Sequence, residues 1–284
     1  MIQKPDIGAM IFHHTGDSRV LELPFGLGEW PLPGPWMVGG IDLSPTKHVV
    51  FMIFAAFLVF VTLWYGGRQV ARRHREGKAP HGFGAAVEAL VLWVRNDVAV
   101  ANIGHDGGGE KFAPYILTLF FFILYCNLLG LLPWGAAATG NIAVTAALAL
   151  TAFLTIEISG FVALGPKGYL KTIVMVPPGM TGIGAVIMAV IMTPVELIGK
   201  LVKPFALTLR LFANMTAGHF VILVLLGLIF VFGTAPPAIR GVVVVGAVGL
   251  TLFMMCLELL VAFLQAYIFA LLTSVFIGLM RHEH

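Results

Sequence analysis

Between Ala113 and Met280 the chain carries only nine charged side chains: Glu157, Lys167, Lys171, Glu196, Lys200, Lys203, Arg210, Arg240 and Glu258. No Asp occurs after Asp106. Residues so poor in charge over such a length belong in lipid, where each crossing takes about 20 apolar residues. The whole sequence of 284 residues is 59% hydrophobic and 11% charged, against about 25% charged in soluble domains. The fold class this dictates is an all-α integral membrane protein crossing the bilayer several times. Its net charge of +3 comes from a few Lys and Arg beside the expected spans. That distribution excludes nucleic-acid binding, which needs basic residues spread over a solvated face. Cys126 and Cys256 lie in apolar runs with no Cys or His at ligand spacing, so both read as small core hydrophobes.

Residues 1–46, with Pro24, Pro31, Pro33, Pro35, Gly39 and Gly40, read as an extramembrane arm without a cleavable signal peptide. Residues 47–284 form one membrane domain. A first span is expected over 49–65, followed at once by Arg68, Arg72, Arg73, Arg75 and Lys78. By the positive-inside rule that loop is cytoplasmic and the N-terminus lies outside. A weaker helix over 83–103 spaces Glu88, Arg95 and Asn102 by seven, which suits one amphipathic helix lying at the interface. Gly104 to Lys111 reads as a flexible turn. A hairpin of two spans over 114–164 comes next, then Lys167 and Lys171 on the cytoplasmic side. From 181 to 280 only Pro194, Pro204 and the Pro236-Pro237 turn interrupt a helical pattern. The two arms are about 50 and 43 residues, or roughly 75 and 65 Å at 1.5 Å per residue, against a hydrocarbon core of about 30 Å. A single proline kinks a helix without ending it. The last two of about five transmembrane helices are therefore expected to be long and tilted, forming a hairpin with a cytoplasmic C-terminus.

Stepping 100° per residue from Glu196 puts Lys200 at about +40°, Lys203 at about −20°, Arg210 at about −40° and Asn214 at about 0°. One polar stripe within an arc of about 80° points to an aqueous groove or a charged partner. His219 falls near 140°, toward the neighbouring helix. Glu258 and Gln265, seven apart, share a face of the second long helix. His219 lies 17 residues before the proline turn and Glu258 21 after it, so an antiparallel hairpin brings them to similar depth. Histidine titrates near neutral pH, which suits a proton relay. Arg210 is the most expensive member: an arginine stays charged, at roughly 2.5–3.5 kcal/mol on insertion scales. Glu196 lies about 21 Å away along the helix, too far to neutralise it. Lys200 and Lys203 are open between snorkelling and a role in the stripe. Glu157 is open between a helix brace and a site. Arg240 reads as an interfacial anchor.

No GxxxxGK[ST] loop, HExxH, CxxC or GxSxG motif is present. Nucleotide binding and ordinary hydrolysis on this chain are therefore excluded, and no cofactor or metal is expected.

The run Pro194-Val-Glu-Leu-Ile-Gly-Lys-Leu-Val-Lys-Pro-Phe-Ala-Leu-Thr-Leu-Arg-Leu-Phe-Ala-Asn-Met-Thr-Ala-Gly-His219 closely resembles subunit a of F-type ATP synthases. So does Glu258 to Ile268, with Leu264-Gln-Ala-Tyr-Ile-Phe269, and the likeness extends from the first span to the C-terminus. The resemblance implies the stator half of a rotary proton motor in a bacterial inner membrane. It further implies a non-catalytic subunit partnered by an oligomeric c-ring, peripheral-stalk b subunits and lipid. In that family the arginine matching Arg210 faces ring carboxylates between two aqueous half-channels. By position, Asn214, His219, Glu258 and Gln265 match the outer half-channel, and Glu196 the inner one. Many bacterial members carry Glu where this chain has His219, and His where it has Glu258. Here the pair is exchanged, as in mitochondrial-type members, and both chemistries are kept. Ala206 stands where some members have a small polar residue.

Two rivals remain from the residues alone. A secondary transporter would show repeated halves with interrupted helices at midplane, and no internal repeat is visible. A structural scaffold would tolerate loss of the Arg210 charge.

Overall fold

The computed structural model describes residues 16–22, 28–39, 41–42, 44–105, 108–132, 135–174 and 182–282. Of the residues singled out in the sequence, Pro24, Gly40, Asp106, Trp134, Thr181, Glu283 and His284 lie outside this set.

The arm holds two short antiparallel pairs. Strand β1 (Val20–Glu22) pairs with β2 (Glu29–Pro31) in the register Leu21 to Trp30, and β3 (Met37–Val38) pairs with β4 (Ile41–Asp42). Five long apolar helices follow: α1 (Lys47–Arg75), α3 (Gly109–Gly130), α4 (Ile142–Ile173), α5 (Ile183–Val231) and α6 (Pro237–His282). Between α1 and α3 lies α2 (Phe83–Trp93), which continues through a π-helical stretch, Val94–Val100, to Ile103. The wider π turn breaks the two-turn spacing that the sequence suggests for Arg95 and Asn102. Arg95 turns to Glu110 at 3.0 Å, and Asn102 donates to the Val98 carbonyl at 2.8 Å.

Local chemistry sets the helix ends. Helix α1 outruns the expected span by ten residues because Arg68 to Arg75 are good helix formers that need no lipid. It stops where Gly77, at φ 67°, takes the left-handed conformation. There Lys78 N–H donates to Arg73 O and Gly77 N–H to His74 O, a Schellman closure. Arg72, then Lys78, hold the adjacent Glu76 carboxyl below its usual value. In α4, Gly165 (φ 67°, ψ 174°) before Pro166 kinks the helix where the expected span ends. In α5, Pro194 and Pro204 are accommodated without a break. Thr208 Oγ1 donates to Pro204 O at 2.9 Å, a back-bond that accompanies helix bending. At 1.5 Å per residue, α5 and α6 are roughly 74 and 69 Å long, so each crosses a core of about 30 Å only at a steep tilt.

Contacts divide the chain into two compact units, and each long helix contributes a length to both. The first unit comprises 1–61, 121–144 and 211–266. Its core joins Ala55, Cys126, Leu129 and Ala138, with Phe51, Phe122 and Tyr125 around them. The second comprises 62–120, 145–210 and 267–284. There Trp93 stacks on Tyr267 at 5.2 Å and meets Phe120 edge-on at 6.0 Å. Cys126 sits in the core as expected, but Cys256 is exposed. The reading of Cys256 as a core hydrophobe is thereby corrected. A lipid-facing surface is as apolar as a core, so an apolar sequence context does not distinguish them.

Candidate functional site

In the first unit the polar residues of α5 and α6 meet in antiparallel register. Asn214 Nδ2 donates to Gln265 Oε1 at 3.0 Å, and His219 Nδ1 lies 3.0 Å from Glu258 Oε1. The matched depths counted from the proline turn are realised in this contact. The other imidazole nitrogen, Nε2, is 2.6 Å from the carbonyl of Gly130 on α3. A carbonyl only accepts, so Nε2 carries hydrogen whatever the state of the pair. The mobile proton then lies between Nδ1 and the Glu258 carboxyl. That carboxyl is buried, and among the described residues its second oxygen, Oε2, has no hydrogen-bond partner. An unsatisfied buried carboxyl oxygen is a second position at which a proton can be exchanged.

Two glycines make this approach possible. A Cβ on Gly218 would collide with the Glu258 carboxyl. A Cβ on Gly130 would collide with Ala137 and Met215, so its carbonyl reaches His219 only from a bare backbone. Sequence reasoning missed Asn127, which is buried in α3. Its Nδ2 donates to the Ala262 carbonyl on α6 at 3.2 Å, and Thr139 Oγ1 donates to its Oδ1 at 2.7 Å. A lone Asn inside the apolar run Tyr125-Cys-Asn-Leu128 was the available signal.

The second unit contains the charged stretch of α5, and its members separate. Lys200 is buried, with Nζ 3.4 Å from Glu157 Oε2 and 3.4 Å from Thr172 Oγ1. Tyr169 donates its hydroxyl to the same Glu157 oxygen, and the Lys200 ammonium sits 4.8 Å over the Tyr169 ring. Lys203 lies 4.8 Å over the Phe276 ring. These are satisfied pairs of the kind that brace helices. Glu196 is half-buried. Arg210 differs from all of them. Its side chain is exposed, and among the described residues it makes no hydrogen bond or ion pair. Val195, Val202 and Leu209, which lie about 60–100° around the helix from it, are exposed too. A permanent cation thus stands without a counterion on an apolar outer surface.

Among the described residues, five helices long and apolar enough to cross a bilayer define a polytopic membrane protein, with a His219–Glu258 contact between two of them and an arginine that has no counterion on its own chain. The sequence pattern described as "ATP synthase A chain" matches residues 49–278. The chain is 47% identical over 273 residues to "ATP synthase subunit a" of Chloroherpeton thalassium, covering 95% of this chain and 76% of that protein. It is 48% identical over 257 residues to the Myxococcus xanthus protein of that name, covering 89% and 78%. To the Anaeromyxobacter dehalogenans (strain 2CP-C) protein it is 43% identical over 284 residues, covering 96% and 70%. The chain belongs to the ATP synthase A chain family.

Proposed function

We propose that Arg210 is the fixed cation of a rotary proton motor and that the His219–Glu258 pair delivers protons to it from outside. As a member of this family the chain is the proton-channel stator subunit of an ATP synthase, one part of a larger membrane complex. The observation that carries the assignment of Arg210 is its exposure without a partner on an apolar face. Such a charge requires a counterion from another polypeptide, because the alternative is an uncompensated ion in lipid.

The partner that fits is a ring of c subunits, each bringing one mid-membrane carboxylate past Arg210. Opposite charges attract strongly in a low-dielectric setting, so a ring carboxylate is held ionised while it faces the guanidinium. Once past, it meets a proton donor and leaves neutral. The outer path runs through His219, Glu258, Asn214 and Gln265, and the inner path passes Glu196. Along α5, Glu196 lies about 21 Å from Arg210 on one side and His219 about 14 Å on the other, by helix rise. The permanent charge between them repels a proton moving directly across, so protons ride the ring instead. The membrane potential supplies about 2.3 kcal/mol per charge per 100 mV.

The chain lies in a bacterial inner membrane with its N-terminus outside and its C-terminus cytoplasmic. The basic stretch after α1 sets that orientation. Helix α2 lies at the interface, and b subunits of a peripheral stalk hold the chain against rotation. An Arg210→Cys variant, made with Cys126 and Cys256 replaced by Ala, tests the central contact. It is expected to form a disulfide with a cysteine placed beside the ring carboxylate in the assembled complex. A crosslink that forms only to lipid-exposed sites of other subunits, and never to the ring helix, overturns the assignment.

A further inference from the structure

We infer that Asp17 and His48 form the outer mouth of the proton path, passing protons through a water-sized cavity to His219. The inference rests on the reading of His219 given above and extends it to residues of the arm and of α1.

His48 opens α1 and is buried. Its Nδ1 lies 2.8 Å from Asp17 Oδ1, and the Asp17 carboxylate is about one-third exposed at 37%. Asn141, at the start of α4, donates to Asp17 Oδ2 at 3.1 Å and holds the carboxylate in place. Asp17 therefore bridges surface and interior, with one oxygen on a buried imidazole.

His48 also lines a cavity bounded by Gly135, Ala136, Gly140, Met215, Thr216 and His219. It has room for one or two waters. Thr216 Oγ1 is buried there without a hydrogen-bond partner. Two imidazoles and an unsatisfied hydroxyl around one such space are the polar lining that retains water rather than staying dry. All these residues belong to the same compact unit.

The proton balance is simple. A protonated Asp17 gives its proton to His48 Nδ1, making an imidazolium with hydrogen on both nitrogens; the ring turns about Cβ–Cγ, gives that same proton from Nδ1 to cavity water, and turns back with its Nε2–H unchanged. Cavity water passes the proton to His219. Because Gly130 O holds Nε2–H of His219, transfer on to Glu258 requires that ring to turn out of the 2.6 Å contact. No net charge is left behind on either histidine.

The test uses the whole ATP synthase reconstituted in lipid vesicles, with its catalytic head stripped and proton uptake driven from the outer face by a potassium diffusion potential. His48→Ala is expected to lower passive proton flux about tenfold, short of the ~10²–10⁴ of a positioned proton-transfer group because water partly bypasses the gap. Added imidazole is expected to restore flux in His48→Ala. His48→Gln, which fills the space without shuttling, is expected to stay slow. Should His48→Gln conduct like the unaltered protein, or imidazole fail to rescue His48→Ala, the relay is refuted. Ala136 lines the same cavity, and Ala136→Leu fills it while leaving both histidines in the chain. It serves where His48→Ala does not assemble, and unchanged flux in it likewise refutes the path. His219→Ala runs alongside. Loss of flux there with none at His48 overturns this inference alone, and full flux in both overturns the reading of His219 as well.

Discussion

Replacing Gly218 by Ala isolates the His219–Glu258 contact without removing either partner. The added Cβ would overlap the Glu258 carboxyl and stand 3.0 Å from its Cγ, where ordinary contacts need 3.4–4 Å. Because the atoms are a carboxyl end rather than backbone, the side chain gives way, by about an ångström on these distances. The 3.0 Å contact to His219 then opens to about 4 Å, outside hydrogen-bond range. A hydrogen bond to a charged group contributes about 1.5–3 kcal/mol. At 1.4 kcal/mol per tenfold, proton transfer through the pair slows by about 10- to 100-fold. Helix propensity works the other way, since Ala is favoured over Gly by about 1 kcal/mol. Assembly is therefore expected to be normal while conduction falls. The assay is passive proton flux in stripped vesicles, normalised to the amount of this chain and of its partner subunits by immunoblot. Glu258→Asp in the Gly218→Ala background shortens the carboxylate by one methylene and is expected to recover part of the flux. Normal flux in Gly218→Ala at normal assembly would refute the claim that this contact carries protons.

Arg210→Ala is expected to abolish both ATP synthesis and ATP-driven proton pumping, measured by luciferase and by vesicle acidification. Arg210→Lys is expected to be severely impaired in the same assays, because a lysine taken out of water by the lipid or the partner can lose its proton and an arginine cannot. Exchanging His219 and Glu258 in one variant keeps acid and imidazole within reach of each other. It is expected to retain more ATP synthesis than either single replacement by Gln. Lys200→Met alone leaves Glu157 charged and half-buried, at a cost of about 3–5 kcal/mol. The double variant Lys200→Met with Glu157→Gln is expected to recover most of that loss, measured as the melting temperature of the detergent-solubilised complex.

The helices were legible because lipid removes ambiguity: an uncharged run long enough to cross has few other structures open to it. The depth match of His219 and Glu258 was legible too, since Pro236-Pro237 fixes the hairpin and a helix has a constant rise. What did not show was which face of a helix is covered. Glu196, Lys200, Lys203, Arg210 and Asn214 share an arc by angle, yet Lys200 is buried against Glu157 while Arg210 is exposed. Angular phase says which residues point together, not how far a neighbour reaches over them. Cys256 is the same failure in an apolar residue. Asn127, Asp17 and His48 were missed because their partners come from distant sequence, and no periodicity within one helix encodes such contacts.

The contrast between Lys200 and Arg210 carries the remaining step. Both are cations on one helix, ten residues apart. Lys200 has a carboxylate, a hydroxyl and an aromatic ring from its own chain. A lysine so placed is neutralised at home and can contribute nothing to a partner. Among the described residues Arg210 has no such group, although Glu157 shows that the fold can bring an acid to this helix when stability is the need. On the role proposed for Arg210, leaving it bare costs stability in the isolated chain, and a moving partner that supplies the carboxylate recovers that cost. A resident acid at Arg210 would cancel the charge that each passing carboxylate has to find. Placing Glu one helical turn away, for example by Ala206→Glu or Ala213→Glu, is therefore expected to stall rotation-coupled ATP synthesis while leaving the complex assembled. Unimpaired synthesis in both variants would show that the bare charge is not what drives the motor.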